Sequence, residues 1–144
     1  MSQKQSFQNH MRWFPIYHYF ASPVTAIYAV YAITQAVKAP SQATILHALW
    51  AAAISAAVVA SRLMAIIVQN RLIRLEMRLR MKEVLSAELA TRAKALTVRQ
   101  LIALRFAGDA ELPGLVERTL KGEFAKGKDI KAAITDWQAD WLRA

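Results

Sequence analysis

The chain contains no cysteine. Disulfides, thiolate nucleophiles and Cys-ligated metals are therefore excluded. Acidic residues are missing from the first 75 positions, and all ten lie at or after Glu76. Ion-coupled transport through that half would lack the carboxylate relay it usually depends on. Glycine and proline are scarce, four of each, which argues against a disordered or collagen-like chain. No G-x-S-x-G elbow, phosphate-binding glycine loop or H-E-x-x-H motif occurs. Internal repeats and low-complexity tracts are absent too. The expectation is a protein without catalytic residues, metal or cofactor.

What is present is hydrophobic length. The 144 residues are 56% hydrophobic yet carry a formal net charge of +9. The two properties are segregated, because residues 1–68 hold only Lys4, Arg12, Lys38 and Arg62 as full charges. Residues 16–37 contain no Asp, Glu, Lys or Arg, and residues 44–68 contain only Arg62. Each run meets the requirement of about 20 apolar residues for a membrane span. The connecting Lys38-Ala-Pro-Ser-Gln-Ala43 is short, and Pro40 is unsuited to a continuing helix. The spacing therefore predicts a tight transmembrane hairpin. Pro23 falls inside the first run, and the expectation is a kinked span with residues 15–22 at the membrane interface. The other possibility is a short helix over 23–38, with Ser22 as N-cap and Pro23 at its first position. Val37-Lys38-Ala39 only weakly resembles a leader-cleavage site, and Pro40 follows it.

Arg71, Arg74, Arg78, Arg80 and Lys82 follow the second run, against Lys38 alone in the loop. By the positive-inside rule both termini face the cytosol. The expected fold is all-α: residues 1–15 form an interfacial segment and residues 16–68 the hairpin. The second span continues as a basic juxtamembrane helix over 69–96, and 97–144 form a small cytosolic unit of three short helices. On the juxtamembrane helix, Leu72, Leu75 and Leu79 form one apolar stripe, and Ile73, Met77, Met81 and Val84 form another. Thr97 is expected to cap a helix reaching about Ala107. Gly108 ends it and Asp109 caps the next, with Pro113 in that helix's first turn. Gly122 breaks the chain, and Gly127 lies in the loop that follows. Asp129 opens a final helix with a stripe of Ile130, Ile134, Trp137 and Trp141, read as core or as a docking face. Residues 97–144 carry eight basic and seven acidic side chains, which is no nucleic-acid patch.

Residues 8–20, QNHMRWFPIYHYF, crowd aromatic rings where an interfacial anchor belongs. The sharper alternative is a ligand, partner or catalytic site built from His10, Arg12, Trp13 and His18. His18 and His47 begin opposite ends of the hairpin, roughly 25 Å apart at 1.5 Å per residue, so they cannot share a metal or haem within one chain. Arg62 reads as a snorkelling cation, or as a contact to a partner subunit, to Tyr or to backbone oxygens. Arg71, Arg74 and Arg78 are candidates for anionic lipid headgroups. Ala48, Ala52, Ala56 and Ala60 are the expected helix-packing stripe, since small side chains let helices approach closely in lipid. Tyr17, Tyr28, Tyr31 and Gln35 share a side of the first span that is expected to face protein.

The segments QNHMRWFPIYHYF, QNRLIRLEMRLRMKEVL (69–85), QLIALRFAGDAELPGLVER (100–118) and KDIKAAITDWQADWLR (128–143) also carry a resemblance. In order and spacing the chain resembles an uncharacterised family of small bacterial two-span membrane proteins, classed as a domain of unknown function. Its N-terminal motif reads QNHxRWxPxYH. The resemblance implies a bacterial cytoplasmic (inner) membrane protein with no assigned activity, and it transfers no catalytic residue. The functional expectation is a non-catalytic scaffold, accessory subunit or homo-oligomer within a larger membrane complex. The alternatives are a component of an oligomeric channel or transporter, and a membrane enzyme with an interfacial His/Arg site.

Overall fold

The computed structural model describes residues 6–7 and 13–140, and these are helical apart from turns and one isolated antiparallel bridge. Six α-helices follow one another: α1 (Ser22–Lys38), α2 (Gln42–Val84), α3 (Ala87–Arg92), α4 (Val98–Leu104), α5 (Leu112–Leu120) and α6 (Gly127–Ala132). A π-helical stretch, Ile16–Ala21, leads into α1, and a single 3-10 turn, Ala93–Ala95, follows α3. The chain divides into two units, one holding residues 13–67 and the other 68–140.

In the first unit the helix runs from Ile16 to Lys38 through Pro23. Pro23 has no N–H, and its ring would clash with the carbonyl four residues back in a regular helix. The wider π turn relieves this, and the Ser22 N–H reaches the Tyr17 carbonyl, five residues back. The turn to α2 is closed by its own side chains. The Thr44 hydroxyl accepts from the Ser41 N–H at 2.9 Å, and the Ser41 hydroxyl accepts from the Thr44 N–H at 3.2 Å. That reciprocal pair satisfies backbone donors that a helix start leaves open. Between the helices the Ser55 hydroxyl lies 3.1 Å from the Thr25 carbonyl oxygen. Ala32 and Ala51 are the buried apolar residues of this unit, at 3% and 1% exposure.

The second unit packs short helices around the C-terminal part of α2. Its core contains Ile73, Met77 and Met81 of α2 with Leu101, Leu104, Leu112, Val116 and Ile130. Thr97 and Gln100 form a capping box at the start of α4. Pro113 sits in the first turn of α5, where a missing N–H costs little. Gly122, with φ of 78°, ends α5 in the left-handed conformation that glycine adopts without strain.

The structure departs from the expected elements in four places. Residues 69–96 are not one helix: α2 stops at Val84, and Ser86 caps a separate α3 by accepting from the Leu89 N–H. Four short helices therefore follow α2 rather than three. α4 ends at Leu104 and Asp109 caps nothing, because its carboxylate is held by Arg80. Gly127 opens α6, and Asp129 lies in that helix's first turn, accepting from the Lys126 N–H at 2.9 Å. α6 then ends at Ala132, so Ile130, Ile134 and Trp137 do not share one helical face, and Trp141 lies outside the described residues. After α6 the chain turns extended and pairs with residues 106–108. The Gly108 N–H donates to the Asp136 carbonyl at 2.8 Å, and the Gln138 N–H donates to the Phe106 carbonyl at 2.7 Å. A side chain at Gly108 would overlap the Asp136 carboxylate, so glycine permits this close crossing.

Candidate functional site

At the end of the hairpin remote from the Ser41 turn, aromatic side chains gather on the π-helical stretch. Trp13 meets His18 edge-on at 4.8 Å and stacks with Tyr19 at 6.1 Å, and Tyr17 meets His18 edge-on at 5.0 Å. The His18 Nδ1 lies 2.9 Å from the Phe14 carbonyl oxygen. The Arg62 guanidinium lies 5.9 Å from the centroid of the Tyr17 ring, within range of a cation–π attraction. Arg62 thus lies beside Tyr17. His10 and Arg12 lie outside the described residues.

The stripe Ala48, Ala52, Ala56, Ala60 is not the face that α2 turns to α1. Ala48 is half-buried, whereas Ala52, Ala56 and Ala60 are exposed. The packed positions are Ala51, Ser55 and Val58, leading on to Arg62. Steps of four residues drift about 40° around a 3.6-residue helix. Steps alternating three and four hold one face, and Ser55 fixes it with its bond to α1. Nearer the turn, Tyr28, Tyr31, Gln35, Thr44 and His47 line a cavity of about 230 Å³. Of the four residues expected to face protein, Tyr28, Tyr31 and Gln35 line this cavity, yet Tyr28 and Tyr31 remain 45% and 57% exposed, and Tyr17 lies apart from it.

In the second unit α2 shows two faces. Ile73, Met77 and Met81 are buried, while Leu72, Leu75 and Leu79 are 54%, 56% and 53% exposed. Arg71, Arg74 and Arg78 are exposed to one side of the leucine ridge, and Glu76 and Glu83 to the other. Between this face and the α3 region lies a groove of about 450 Å³. Leu75, Leu79, Met81, Ala90 and Ala93 give it an apolar lining, and Arg78, Lys82 and Lys94 give it positive charge. Trp137 belongs elsewhere. It stacks on fully buried Phe106 at 4.6 Å, with the Arg105 guanidinium 4.3 Å from the same ring. Arg105 in turn pairs with Asp140 at 2.9 Å.

Two residues escaped the sequence reading. Arg80 extends from α2 and spreads its guanidinium over the end of α4. It donates to the Asp109 carboxylate at 2.7 Å, to the Arg105 carbonyl at 3.2 Å and to the Ala107 carbonyl at 2.6 Å. A planar fork suits three acceptors at once. The signal was an arginine set among Ile73, Met77, Met81 and Val84, on the apolar face that must be buried. The second is Glu111, whose carboxylate accepts from the Thr135 hydroxyl at 2.6 Å and from the Thr135 and Asp136 N–H groups at 3.0 and 3.2 Å. Partial burial pushes its carboxyl up, but hydrogen bonds from Thr135, Asp136 and Gly108 outweigh that and hold it below the ordinary value of 4.5. This clasp turns the chain after α6. Nothing local to Glu111 marks a partner 24 residues away.

Among the described residues no three His, Asp or Glu side chains gather where they would hold a metal ion. The unit carries an apolar strip bordered on one side by Arg78, Lys82 and Lys94. No curated protein and no solved structure matches the chain. A family model does match, described as "Family of unknown function (DUF6526)", and it covers residues 1–144. Matched over its whole length, the chain belongs to that family.

Proposed function

We propose that this is a non-catalytic two-span membrane protein whose helical unit docks a partner, as scaffold or accessory subunit of a larger complex. One observation carries the reading. The segments Ile16–Lys38 and Gln42–Val84 are each long and apolar enough to cross a membrane, and only 6% of the apolar stretch in each is buried. A core helix of a water-soluble protein hides such a surface, whereas a spanning helix turns it to lipid. The cations of residues 71–82 favour both flanks of the hairpin on the cytosolic side of a bacterial inner membrane. Arg62, beside Tyr17 and the aromatic collar, suits the headgroup boundary at that end. Exposed Ala52, Ala56 and Ala60 offer a smooth ridge on which another spanning helix, or a second copy, packs closely.

The test is purification in mild detergent followed by native mass measurement. A mass above that of one chain supports the reading, and a lone monomer overturns the docking role. A chain that stays monodisperse in water without detergent overturns the membrane assignment.

A second reading, a subunit of an oligomeric pore, is favoured by the polar lining of the open cavity formed by Tyr28, Tyr31, Gln35, Thr44 and His47 near the Ser41 turn. Solute flux into vesicles carrying the pure protein decides between the two.

A further inference from the structure

Beyond Val68, α2 carries two apolar stripes and the helical unit uses one of them. Ile73, Met77 and Met81 lie in its core, while Leu72, Leu75 and Leu79 are each more than half exposed. Isolated exposed leucines are ordinary on a protein surface. Leu75 and Leu79 open into a groove walled on its other side by Ala90 and Ala93, and exposed Leu72 continues their ridge beyond it. On the docking role proposed above, we infer that this groove receives an acidic amphipathic helix from a partner protein.

Shape carries the first half of the argument. Leu72, Leu75 and Leu79 follow helical steps, and residues 72–82 extend roughly 15 Å, about three turns. A ridge of that period accepts the ridges of a second helix, whose aliphatic residues at i, i+3 or i+4 and i+7 would fill the groove.

Charge carries the second half. Arg78, Lys82 and Lys94 line the groove and no acidic residue does. Among the described residues these three cations enter no ion pair. Arg71 lies on the same side of α2 as Arg78 and Lys82, while exposed Glu76 and Glu83 lie on the opposite edge of the leucine ridge, away from the groove. Groove against groove, a second copy would bring Arg78, Lys82 and Lys94 to the same three cations, which disfavours that symmetric contact. The chain's own residues 1–12 carry Lys4 and Arg12 and no acid, so they offer no complement either. A partner helix with Glu or Asp flanking its apolar stripe matches both the groove and its rim.

The exposure of Leu79 makes a site-specific test practical. A photoreactive p-benzoylphenylalanine at Leu79 is irradiated in native host cells, and the crosslinked peptide is sequenced by mass spectrometry. The expected adduct joins an acidic, helix-forming segment of another protein with aliphatic residues at helical spacing. The same probe at Leu63 in the hairpin should not give it. The charge reversal R78E/K82E should lower the yield about tenfold, as expected when opposite charges at an interface become like charges. The inference is overturned by adducts with lipid alone, with a second copy, or with a segment lacking acidic residues. It is equally overturned by no adduct, or by a yield indifferent to charge reversal. Native mass measurement of the same preparation separates the two levels. A complex that persists without the Leu79 adduct refutes the groove and leaves the docking role standing, whereas a lone chain refutes both.

Discussion

Ile27, Val37, Leu49 and Trp50 of the hairpin are as apolar as Leu104, Phe106, Leu112 and Val116 of the helical unit. The hairpin residues are 62–77% exposed, whereas those of the unit are at 0%. Two helices alone cannot enclose their own side chains, because each has only one neighbour to turn toward. The helical unit folds four short helices back over one face of α2 and so builds an interior that excludes water. The same residue types thus serve opposite solvents: hydrophobicity drives burial in one region and, in the reading proposed here, insertion into lipid in the other. Stability is drawn from different sources as well. The hairpin relies on close approach at small residues and a side-chain hydrogen bond, and the unit relies on core volume and a few polar clamps.

The largest expected effect comes from Phe106→Ala, which empties the centre of the helical unit and removes the surface on which Trp137 stacks. A loss of about 3–5 kcal/mol is expected for such a truncation. Hydrogen exchange in detergent should show residues 98–132 losing protection while residues 22–38 keep theirs. Equal loss in both would break the distinction between the two regions.

Next is Ala51→Leu, at the tightest point between α1 and α2. Overpacking there should cost about 1–3 kcal/mol, while Ala52→Leu, one position around the helix, should stay within about 0.5 kcal/mol. Melting temperatures of the two variants in the same detergent sharpen the comparison, and similar losses would erase the assigned face.

Arg80→Ala removes the fork across Asp109, Arg105 and Ala107 and is expected to destabilise the helical unit by about 1.5–3 kcal/mol. Arg80→Lys should not restore it, because an ammonium lacks the planar fork. Arg74→Ala, on the exposed face, should change the melting temperature little.

The smallest effect is that of Glu111→Gln, about 1 kcal/mol at neutral pH. Because the folded carboxyl titrates below its ordinary value, its contribution is fully present above about pH 4.5 and is lost as pH falls through the folded value. The amide resonances of Thr135 and Asp136 should report a midpoint below 4.5 in the parent chain and no such titration in E111Q.

Much of this architecture was legible in advance, and the reasons are local. Two uncharged or nearly uncharged runs, a proline-containing turn, the Thr97 cap, Pro113 in a first turn and the Gly122 break are all short-range signals. The two stripes after Val68 were legible too, because a 3.6-residue period assigns faces without knowing what covers them. The breaks at Ser86 and Ala132 were not. Residues 69–96 and 129–141 keep helical apolar spacing across the breaks, which masked the weak helix formers Ser86, Thr135 and Asp136 at the points where packing ends the helices. Trp137 shows this plainly: its spacing from Ile130 fits a helix, yet it lies in an extended segment stacked on Phe106. The candidate site divides the same way. The cations and leucines of α2 were readable one by one, whereas the groove exists only because α3 turns back beside them.

Composition and order along the chain determined by themselves that there would be no thiol chemistry, that the first half would be apolar and free of carboxylates, and that a cationic helix would follow it. These are properties of single residues and of spacings shorter than a few turns. The tertiary structure alone decided which leucines are covered, which arginine clamps α4, and where the chain leaves its last helix to cross behind Phe106. Those outcomes rest on contacts between residues far apart in the chain, such as Arg80 with Asp109, 29 positions on, and Glu111 with Thr135, 24 positions on, and the energy of such a contact appears in neither partner's local sequence.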